Sequence, residues 1–210
     1  GAVSGCYNAG TVRGSRDYTG GIAGQNMGTL ANSQNDADIT GTKYVGGVAG
    51  ASAGSVSFGV NSAIITGDEY TGGVIGSNSA GYSMGDVTDC LSSGFVICPE
   101  STCGGVVGYS NGRGTVERNF YDASINNMDG CSSLSQGFTP LATSQLVSKQ
   151  APEGINTERY YFSASAYPSL KEFATEDCGI AARGIFVLFD KGEKRTNVIK
   201  TTSLATDARI

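Results

Sequence analysis

The chain has 210 residues and a net charge of −5, from 14 basic and 19 acidic side chains. This charge gives no electrostatic reason to expect nucleic-acid binding, and no apolar run approaches the ~18 residues that would predict membrane insertion. Histidine is absent, so His-based general bases, nucleophile pairs and metal ligands are excluded from this segment, and we expect neither catalysis nor a cofactor.

A seven-residue motif recurs along the first half of the chain. Tyr18–Gly24 is repeated 26 residues later at Tyr44–Gly50 and again 26 later at Tyr70–Gly76. A fourth copy, Thr102–Gly108, follows after 32 residues. A fixed period of this size is typical of a solenoid or an array. The repeated positions that we expect to be structural are Tyr18, Gly20, Gly21, Tyr44, Gly46, Gly47, Tyr70, Gly72, Gly73, Gly104 and Gly105.

Each repeat contains three short apolar segments, centred in the second full copy on Val48, Val56 and Ile65. The segments are rich in β-branched residues and are bounded by Gly, Ser, Asn and Asp, a pattern that predicts strands. We therefore predict an all-β fold: a parallel β-solenoid with three short strands in each coil of ~26 residues, in which equivalent strands pair ~4.8 Å apart.

Two columns of identical side chains are expected along the solenoid axis. Asn8, Asn35 and Asn61 share one register, and their amides can bond from coil to coil. The repeated tyrosines form the second column, in which the rings could stack. Side chains that recur in every coil are typical of structural positions.

Residues 1–14 match residues 28–41 and are interpreted as the latter part of a coil. An insertion, Ser77–Asp86, lengthens the coil that begins at Tyr70 and is predicted to be a surface loop.

Three regions are predicted. The repeats occupy residues 1–122, and residues 123–176 are expected to form a mixed C-terminal cap over the open end of the solenoid, with a short capped helix at Thr143–Leu146. Residues 177–210 are predicted to contain a β-hairpin and to include, as one option, the start of a further module.

The motif Tyr-x-Gly-Gly-Val-x-Gly, followed by Gly-Thr/Ser-Val and preceded by Cys6–Gly10, resembles the GLUG repeat. That repeat occurs in large secreted bacterial surface proteins, including adhesin-like chains and some IgA-specific metallopeptidases, and the resemblance covers residues 1–122. Arrays of this family often end in a Tyr-Tyr-Asp-like motif, which Phe120–Asp122 resembles. They continue through Thr-x-x-Gln/Glu-Leu and Tyr-Pro-x-Leu-Lys segments, which are similar to Thr143–Leu146 and Tyr167–Lys171.

The resemblance implies an exported bacterial protein, secreted or at the cell surface. It implies that the repeats act as a stalk or as an adhesive surface for a host or cell-surface protein or glycan. No catalytic residue is carried over, because the family's peptidases keep their zinc motif in a separate domain.

A polysaccharide-active β-helix enzyme is the alternative function, since such enzymes gather acidic and basic residues from adjacent coils in one groove. The candidates are Asp36, Asp38, Asp86, Asp89, Arg113 and Arg118. Asp36 and Asp38 would face the same side of a strand, but the next coil carries Ser62 and Ile64 there, so a solvated face is favoured over a site. Asp86 and Asp89 are weak candidates for a calcium site, which oxygen ligands alone could form.

The six cysteines leave one disulfide candidate. Cys98 and Cys103 flank one turn and could pair, whereas Cys6 and Cys90 lie three coils apart, ~14 Å at the strand spacing, which is too far for a bridge.

Overall fold

A computed structural model describes residues 1–79, 85–99 and 102–174. In this part of the chain, four parallel sheets run along one axis, and equivalent strands of successive repeats pair in register. The predicted parallel β-solenoid is therefore confirmed. The predicted hairpin within 177–210 lies outside the described residues, as do residues 80–84 of the predicted insertion.

Each sheet collects equivalent strands from successive coils, and in the first sheet some coils contribute two short strands where β6 and β10 are continuous. Strands are numbered here in chain order. The first sheet contains β1 (Ala2–Ser4), β2 (Tyr7–Asn8), β6 (Thr29–Asn35), β10 (Ser55–Asn61), β14 (Val87–Thr88), β15 (Leu91–Ser92), β19 (Val116–Glu117), β20 (Asn119–Asp122) and β21 (Phe138–Leu141). The second contains β3 (Val12–Arg13), β7 (Ile39–Thr40), β11 (Ile65–Thr66) and β16 (Val96–Ile97). The third contains β4 (Thr19–Gly20), β8 (Lys43–Gly46), β12 (Glu69–Gly72) and β17 (Cys103–Gly104). The fourth contains β5 (Ala23–Asn26), β9 (Ala49–Ser52), β13 (Ile75–Asn78) and β18 (Val107–Ser110).

Each regular coil thus has four strands, one more than the three expected. The additional strand is the tyrosine-bearing segment, for example Lys43–Gly46, where Lys43 pairs with Glu69 and Val45 with Thr71. Its charged and aromatic residues do not show the apolar pattern of a core strand. The strand forms nevertheless because in-register stacking satisfies its backbone groups whatever the side chains are.

The core inside the coils is a narrow stack of aliphatic side chains. It includes Leu30, Val48, Val56, Val74, Ile75, Val87, Val106 and Val107, all essentially inaccessible to solvent. The long strands of the first sheet bend at a residue with positive φ, such as Phe58 with φ 51°. Beyond this bend Val60, Leu91 and Phe120 belong to a different cluster, on the outer side of the sheet.

The double glycines lie where a side chain would meet the backbone of the next coil and the side chains of the amide ladder. A Cβ atom on Gly47 would meet the carbonyl oxygen of Gly73 and would lie 2.5 Å from Cγ of Asn61. Asn61 belongs to the predicted amide ladder, which is confirmed: Asn8 Nδ2 donates to Asn35 Oδ1 at 2.7 Å, and Asn35 Nδ2 donates to Asn61 Oδ1 at 2.8 Å. Since φ is not positive at the double glycines, close approach explains them.

Parallel stacking continues beyond residue 122, where the sequence repeat ends. β21 pairs with β20 in parallel, and Cys131 forms a parallel bridge with Val107. Leu134 and Phe138 pack against the core cluster at this end. Residues 123–141 therefore form an irregular coil that covers the end of the core.

Residues 142–174 form a lateral cover on the first sheet, whereas the sequence predicted a cap over the end. Leu146, Ile155, Tyr160 and Leu170 pack on the outward-facing Val60, Leu91 and Phe120. The cover contains a short antiparallel pair, β22 (Tyr160–Tyr161) and β23 (Ser169–Leu170). The Leu170 amide donates to Gln34 Oε1 at 3.0 Å, so the cover reaches back to the second coil.

Asp122 joins the solenoid to this lateral cover. Its carboxylate is buried and accepts hydrogen bonds from Thr143 Oγ1 at 2.7 Å, from the Tyr167 hydroxyl at 2.8 Å and from the Ser124 amide at 2.9 Å. These contacts join the end of the repeats, Phe120–Asp122, to the two later segments of the resemblance, Thr143–Leu146 and Tyr167–Lys171. Burial, together with the Asp122 carboxylate, raises the pKa of Tyr167.

The predicted helix α1 (Thr143–Leu146) is confirmed, but its cap differs. The Ala142 amide donates a hydrogen bond to Gln145 Oε1, whereas the Thr143 hydroxyl donates to the Asp122 carboxylate. No helix among the described residues is long and apolar enough to cross a membrane.

The structure joins Cys98 and Cys103 in a disulfide, with Cα atoms 6.3 Å apart. Cys6 and Cys90 occupy equivalent positions three coils apart, as the pairings of Tyr7 with Gln34, Gln34 with Val60 and Val60 with Leu91 show. Burial raises the pKa of the Cys90 thiol to about 12, so this thiol is a poor nucleophile at neutral pH.

Alkylation of the native protein is expected to label Cys6, which is only partly buried, well before Cys90 or Cys131, which are buried. Peptide mapping without reductant should recover Cys98 linked to Cys103. Denaturation before alkylation is the control and should expose all three thiols equally. A bridge between Cys6 and Cys90 would contradict the coil register.

Candidate functional site

A column of stacked tyrosines lies on one edge of the solenoid. The ring centroids of Tyr18 and Tyr44 are 4.9 Å apart and those of Tyr44 and Tyr70 are 5.0 Å apart, with interplanar angles of 6° and 9°. The fourth coil has Thr102 at this position, and its Oγ1 accepts the Tyr70 amide at 3.0 Å. Tyr109 ends the column with its ring edge-on to Tyr70, at a centroid distance of 5.6 Å. We call Tyr18, Tyr44, Tyr70 and Tyr109 the tyrosine column.

The backbone of this column is strained. Tyr18, Tyr44 and Tyr70 have φ values of 68°, 58° and 50°, in the left-handed region that favours glycine or asparagine. Each such residue costs about 1 kcal/mol or more. A tyrosine in three successive coils at a position that glycine would occupy without strain indicates that the ring itself is required.

A second column with positive φ lacks this requirement. It runs along the bend of the first sheet through Gly5, Asn32, Phe58, Asp89 and Arg118. Five different residue types occupy these positions, so the bend requires a backbone conformation but no particular side chain. At Tyr18, Tyr44 and Tyr70, by contrast, both the backbone conformation and the side chain are the same in all three coils.

Charged side chains flank the rings. Lys43 Nζ lies 5.3 Å from the ring centroids of both Tyr44 and Tyr70 and 3.0 Å from a Glu69 carboxylate oxygen. The hydrogen bond to Glu69 raises the pKa of Lys43. Burial raises the pKa of Tyr44 against the opposing effect of Lys43, so the phenol is protonated at neutral pH.

The hydroxyl groups of Tyr18, Tyr44 and Tyr70 make no hydrogen bond to another described residue. Beside Tyr18 is an open depression of about 550 Å³, lined by Ser15, Arg16, Asp17, Tyr18 and Thr42. Aromatic edges, unpaired hydroxyls and neighbouring charges of both signs form a surface suited to contact with a polar ligand.

The acidic candidates do not form one groove. Asp36 is buried, contrary to the solvated face expected for it: it accepts hydrogen bonds from the Tyr7 hydroxyl at 2.8 Å, from Gln34 Nε2 at 2.9 Å and from Ser62 Oγ at 2.5 Å. Asp38 is half-buried and accepts the amide of Ile64 at 3.3 Å. Residues 36–38 also lie between β6 and β7, because the chain turns there, so the two carboxylates do not share one strand face as expected.

Asp86 and Asp89 have protein partners of their own. Asp86 Oδ1 accepts the Thr115 amide at 2.8 Å, and the Asp89 carboxylate forms two hydrogen bonds with Arg118, at 2.8 and 2.9 Å. A cation bound by Asp89 would have to displace that guanidinium. Within residues 1–79, 85–99 and 102–174, no three acidic or cysteine side chains are grouped as metal ligands.

Sequence reasoning missed one member of the tyrosine column and the ion pair that flanks it. Tyr109 comes from the fourth sheet, outside the repeated motif, and only the fold places its ring beside Tyr70. Lys43 and Glu69 are opposite charges one period apart, a signal that could have identified the ion pair.

Comparison with known proteins assigns no family to this chain. No protein-family model, curated protein or solved structure matches it. The resemblance to the GLUG repeat therefore rests on its sequence motifs alone.

The strain at Tyr44 predicts an unusual order of stabilities. Tyr44→Ala and Tyr44→Gly both lose the stacking, but only alanine keeps the unfavourable φ, so Tyr44→Gly should be the more stable by about 1 kcal/mol. Chemical denaturation of the two variants measures this difference. Thr42 is the control site, because it is exposed and has no positive φ. There, Thr42→Gly should be less stable than Thr42→Ala. If the glycine variant is the less stable one at both sites, Tyr44 is not strained.

Proposed function

We propose that this chain is a non-catalytic repeat module of an exported bacterial surface protein. The solenoid acts as a stalk, and the tyrosine column is the adhesive surface for a host or cell-surface protein or glycan. The observation that carries the proposal is the repeated tyrosine at a strained position, whose hydroxyl makes no hydrogen bond to a residue that the structure describes. Backbone strain of this kind concentrates at functional positions.

The stacking pattern supports the role of a stalk. Every regular coil pairs with its neighbours through the same four sheets, and the amide ladder adds side-chain hydrogen bonds along the axis. A solenoid built this way extends in one direction and presents a long lateral face. The lateral cover lies on the first sheet, whereas Tyr44 and Tyr70 are carried by the third sheet and Tyr109 by the fourth, so the cover does not occupy their sheets.

The chemistry of the column supports contact with polar partners. Tyrosine is enriched at the energetic centres of interfaces because one side chain offers both a large apolar area and a hydrogen-bonding group. Lys43 and Glu69 add one charge of each sign beside the rings. This combination suits a protein or glycan surface better than an apolar ligand.

The test is binding of the purified chain to arrays of glycans and of host surface proteins, followed by titration of each ligand found. Tyr44→Ala and Tyr70→Ala should each weaken binding about tenfold, equivalent to about 1.4 kcal/mol. Tyr161→Ala is the control, because Tyr161 is a solvent-accessible tyrosine, 40% exposed, that lies in the lateral cover and not in the tyrosine column. Equal losses in all three variants would show that the tyrosine column is not the contact surface.

A further inference from the structure

The lateral cover, residues 142–174, lies on a single register column of the first sheet. This column takes one residue from each of five successive strands, β2, β6, β10, β15 and β20, as their pairings show. Its members, which we call the docking column, are Tyr7, Gln34, Val60, Leu91 and Phe120. Unlike the asparagine and tyrosine columns, it repeats no residue type, so each coil presents a different side chain to the cover.

The cover contacts every coil of the docking column. The ring of Phe173 lies 5.3 Å from that of Tyr7, centroid to centroid, and the Leu170 amide donates to Gln34 Oε1 at 3.0 Å. The three remaining members of the column form one apolar cluster with buried side chains of the cover. The cover is therefore bound to five coils at once.

Polar contacts tie the cover to the later coils. Tyr160 is buried, and its hydroxyl donates to the Asp89 carbonyl oxygen at 2.5 Å. The Tyr167 hydroxyl donates to the Asp122 carboxylate at 2.8 Å, in strand β20. Only six residues separate Tyr167 from Phe173, whose partner lies four coils away in β2. One short segment thus bridges the docking column from end to end.

The differences within the docking column fix the position of the cover. If the cover moved by one coil, the Leu170 amide would face Val60, which pairs with Gln34 but has no acceptor in its side chain. A buried donor would then lose its hydrogen bond, which is costly. The identical residues of the other columns could not distinguish one coil from the next.

Binding to five coils changes how a solenoid opens. In a simple solenoid each coil contacts only its neighbours, so coils can open one after another at the cost of a single interface. A coil beneath the cover also loses its contacts with the cover when it opens. Those contacts belong to a segment that is held by four other coils, so the opening of one coil is coupled to the opening of the rest.

We propose that the lateral cover is a longitudinal clamp that couples the five coils of the docking column into one cooperative unit. The coils from β2 to β20 open together, and none of them opens alone. For an exported stalk this coupling protects against proteases, because cleavage of a folded protein follows its transient opening. That benefit rests on the proposed function, whereas the coupling itself does not.

Hydrogen exchange of the full native chain in low denaturant, resolved by segment, tests the clamp. In the unaltered chain, the protected amides of residues 29–35, 55–61, 87–92 and 116–122 should share one opening free energy. Leu170→Ala weakens the clamp over the early coils. In that variant, residues 29–35 should exchange about tenfold faster, while residues 116–122 change much less.

Two further variants keep the test interpretable. Phe173→Ala removes a ring that is only partly buried, so this variant will fold, and it should separate the segments in the same direction by a smaller amount. Tyr161→Ala is the control, because Tyr161 lies in the same cover with its side chain exposed. Its segments should retain the common opening free energy of the unaltered chain.

The clamp is overturned if the coils of the unaltered chain already open at separate free energies. It is also overturned if Leu170→Ala and Phe173→Ala accelerate exchange equally in all four segments, or in none, since cooperativity would then belong to the coils themselves. No ligand is present in this experiment. Its outcome is therefore independent of the binding test with Tyr44→Ala and Tyr70→Ala, and either proposal can fail alone.

Discussion

Replacing Gly47 by valine is expected to lower the free energy of unfolding by about 4 kcal/mol, at the upper end of single-residue effects. The position has no space for a side chain: its Cβ would meet the Gly73 carbonyl oxygen in the next coil and the Asn61 amide across the interior. Neither group can move freely, because the first is backbone and the second is held in the amide ladder by Asn35. Denaturant titration followed by circular dichroism measures the loss.

Gly10→Val is the matched control. A Cβ there would have one neighbour, Asn8 Oδ1 at an ordinary 3.7 Å, and the residue is exposed. We expect a change below about 0.5 kcal/mol, as for most surface substitutions. Similar losses for Gly47→Val and Gly10→Val would mean that the double glycines are not required by packing between the coils.

Asp122→Ala is expected to cost about 3 kcal/mol, because it leaves buried donors without their acceptor. The carboxylate is inaccessible to solvent and holds Thr143 and Tyr167 of the lateral cover on the last coils. Loss of these bonds should also raise the rate of proteolysis within residues 142–174. Thermal unfolding and limited proteolysis together measure the effect.

Asp129→Ala is the control for this experiment, since Asp129 lies in the adjoining irregular coil, residues 123–141, and is exposed. Its side chain can be removed while its backbone oxygen still accepts the Gly105 amide. Asp122→Asn should be intermediate, because one amide oxygen remains as an acceptor. Unchanged proteolysis of Asp122→Ala would show that apolar packing alone holds the cover in place.

Several features of the solenoid follow from sequence, because they repeat. The 26-residue period determines the parallel register, and it places Asn35 on Asn61 and Tyr44 on Tyr70. In a solenoid, residues one period apart are neighbours in space, so a local pattern specifies a long-range contact. Contacts between equivalent positions could therefore be predicted from the amino-acid sequence alone.

Contacts between non-equivalent positions depend on the tertiary structure. No period relates Asp122 to Tyr167, or Leu170 to Gln34, yet these pairs fix the lateral cover. The bend at Phe58 also changes which face of its strand points inward, so Val60 leaves the interior and packs on the cover. In a strand without such a bend, side chains alternate strictly between the two faces, and Val60 would point to the same face as Val56.

The same division applies to the candidate site. Sequence determined that the tyrosines form a column, since they share the repeat, but it could not determine the sign of their φ angles. That sign depends on how the chain turns from the second sheet to the third, and this turn puts Tyr44 in the left-handed region in spite of its side chain. The tertiary structure alone placed Tyr109 at the end of the column, because its ring arrives from a different sheet. Contacts along the solenoid axis follow from residues that repeat at one period. The way in which each coil closes around that axis depends on packing between residues that no period relates.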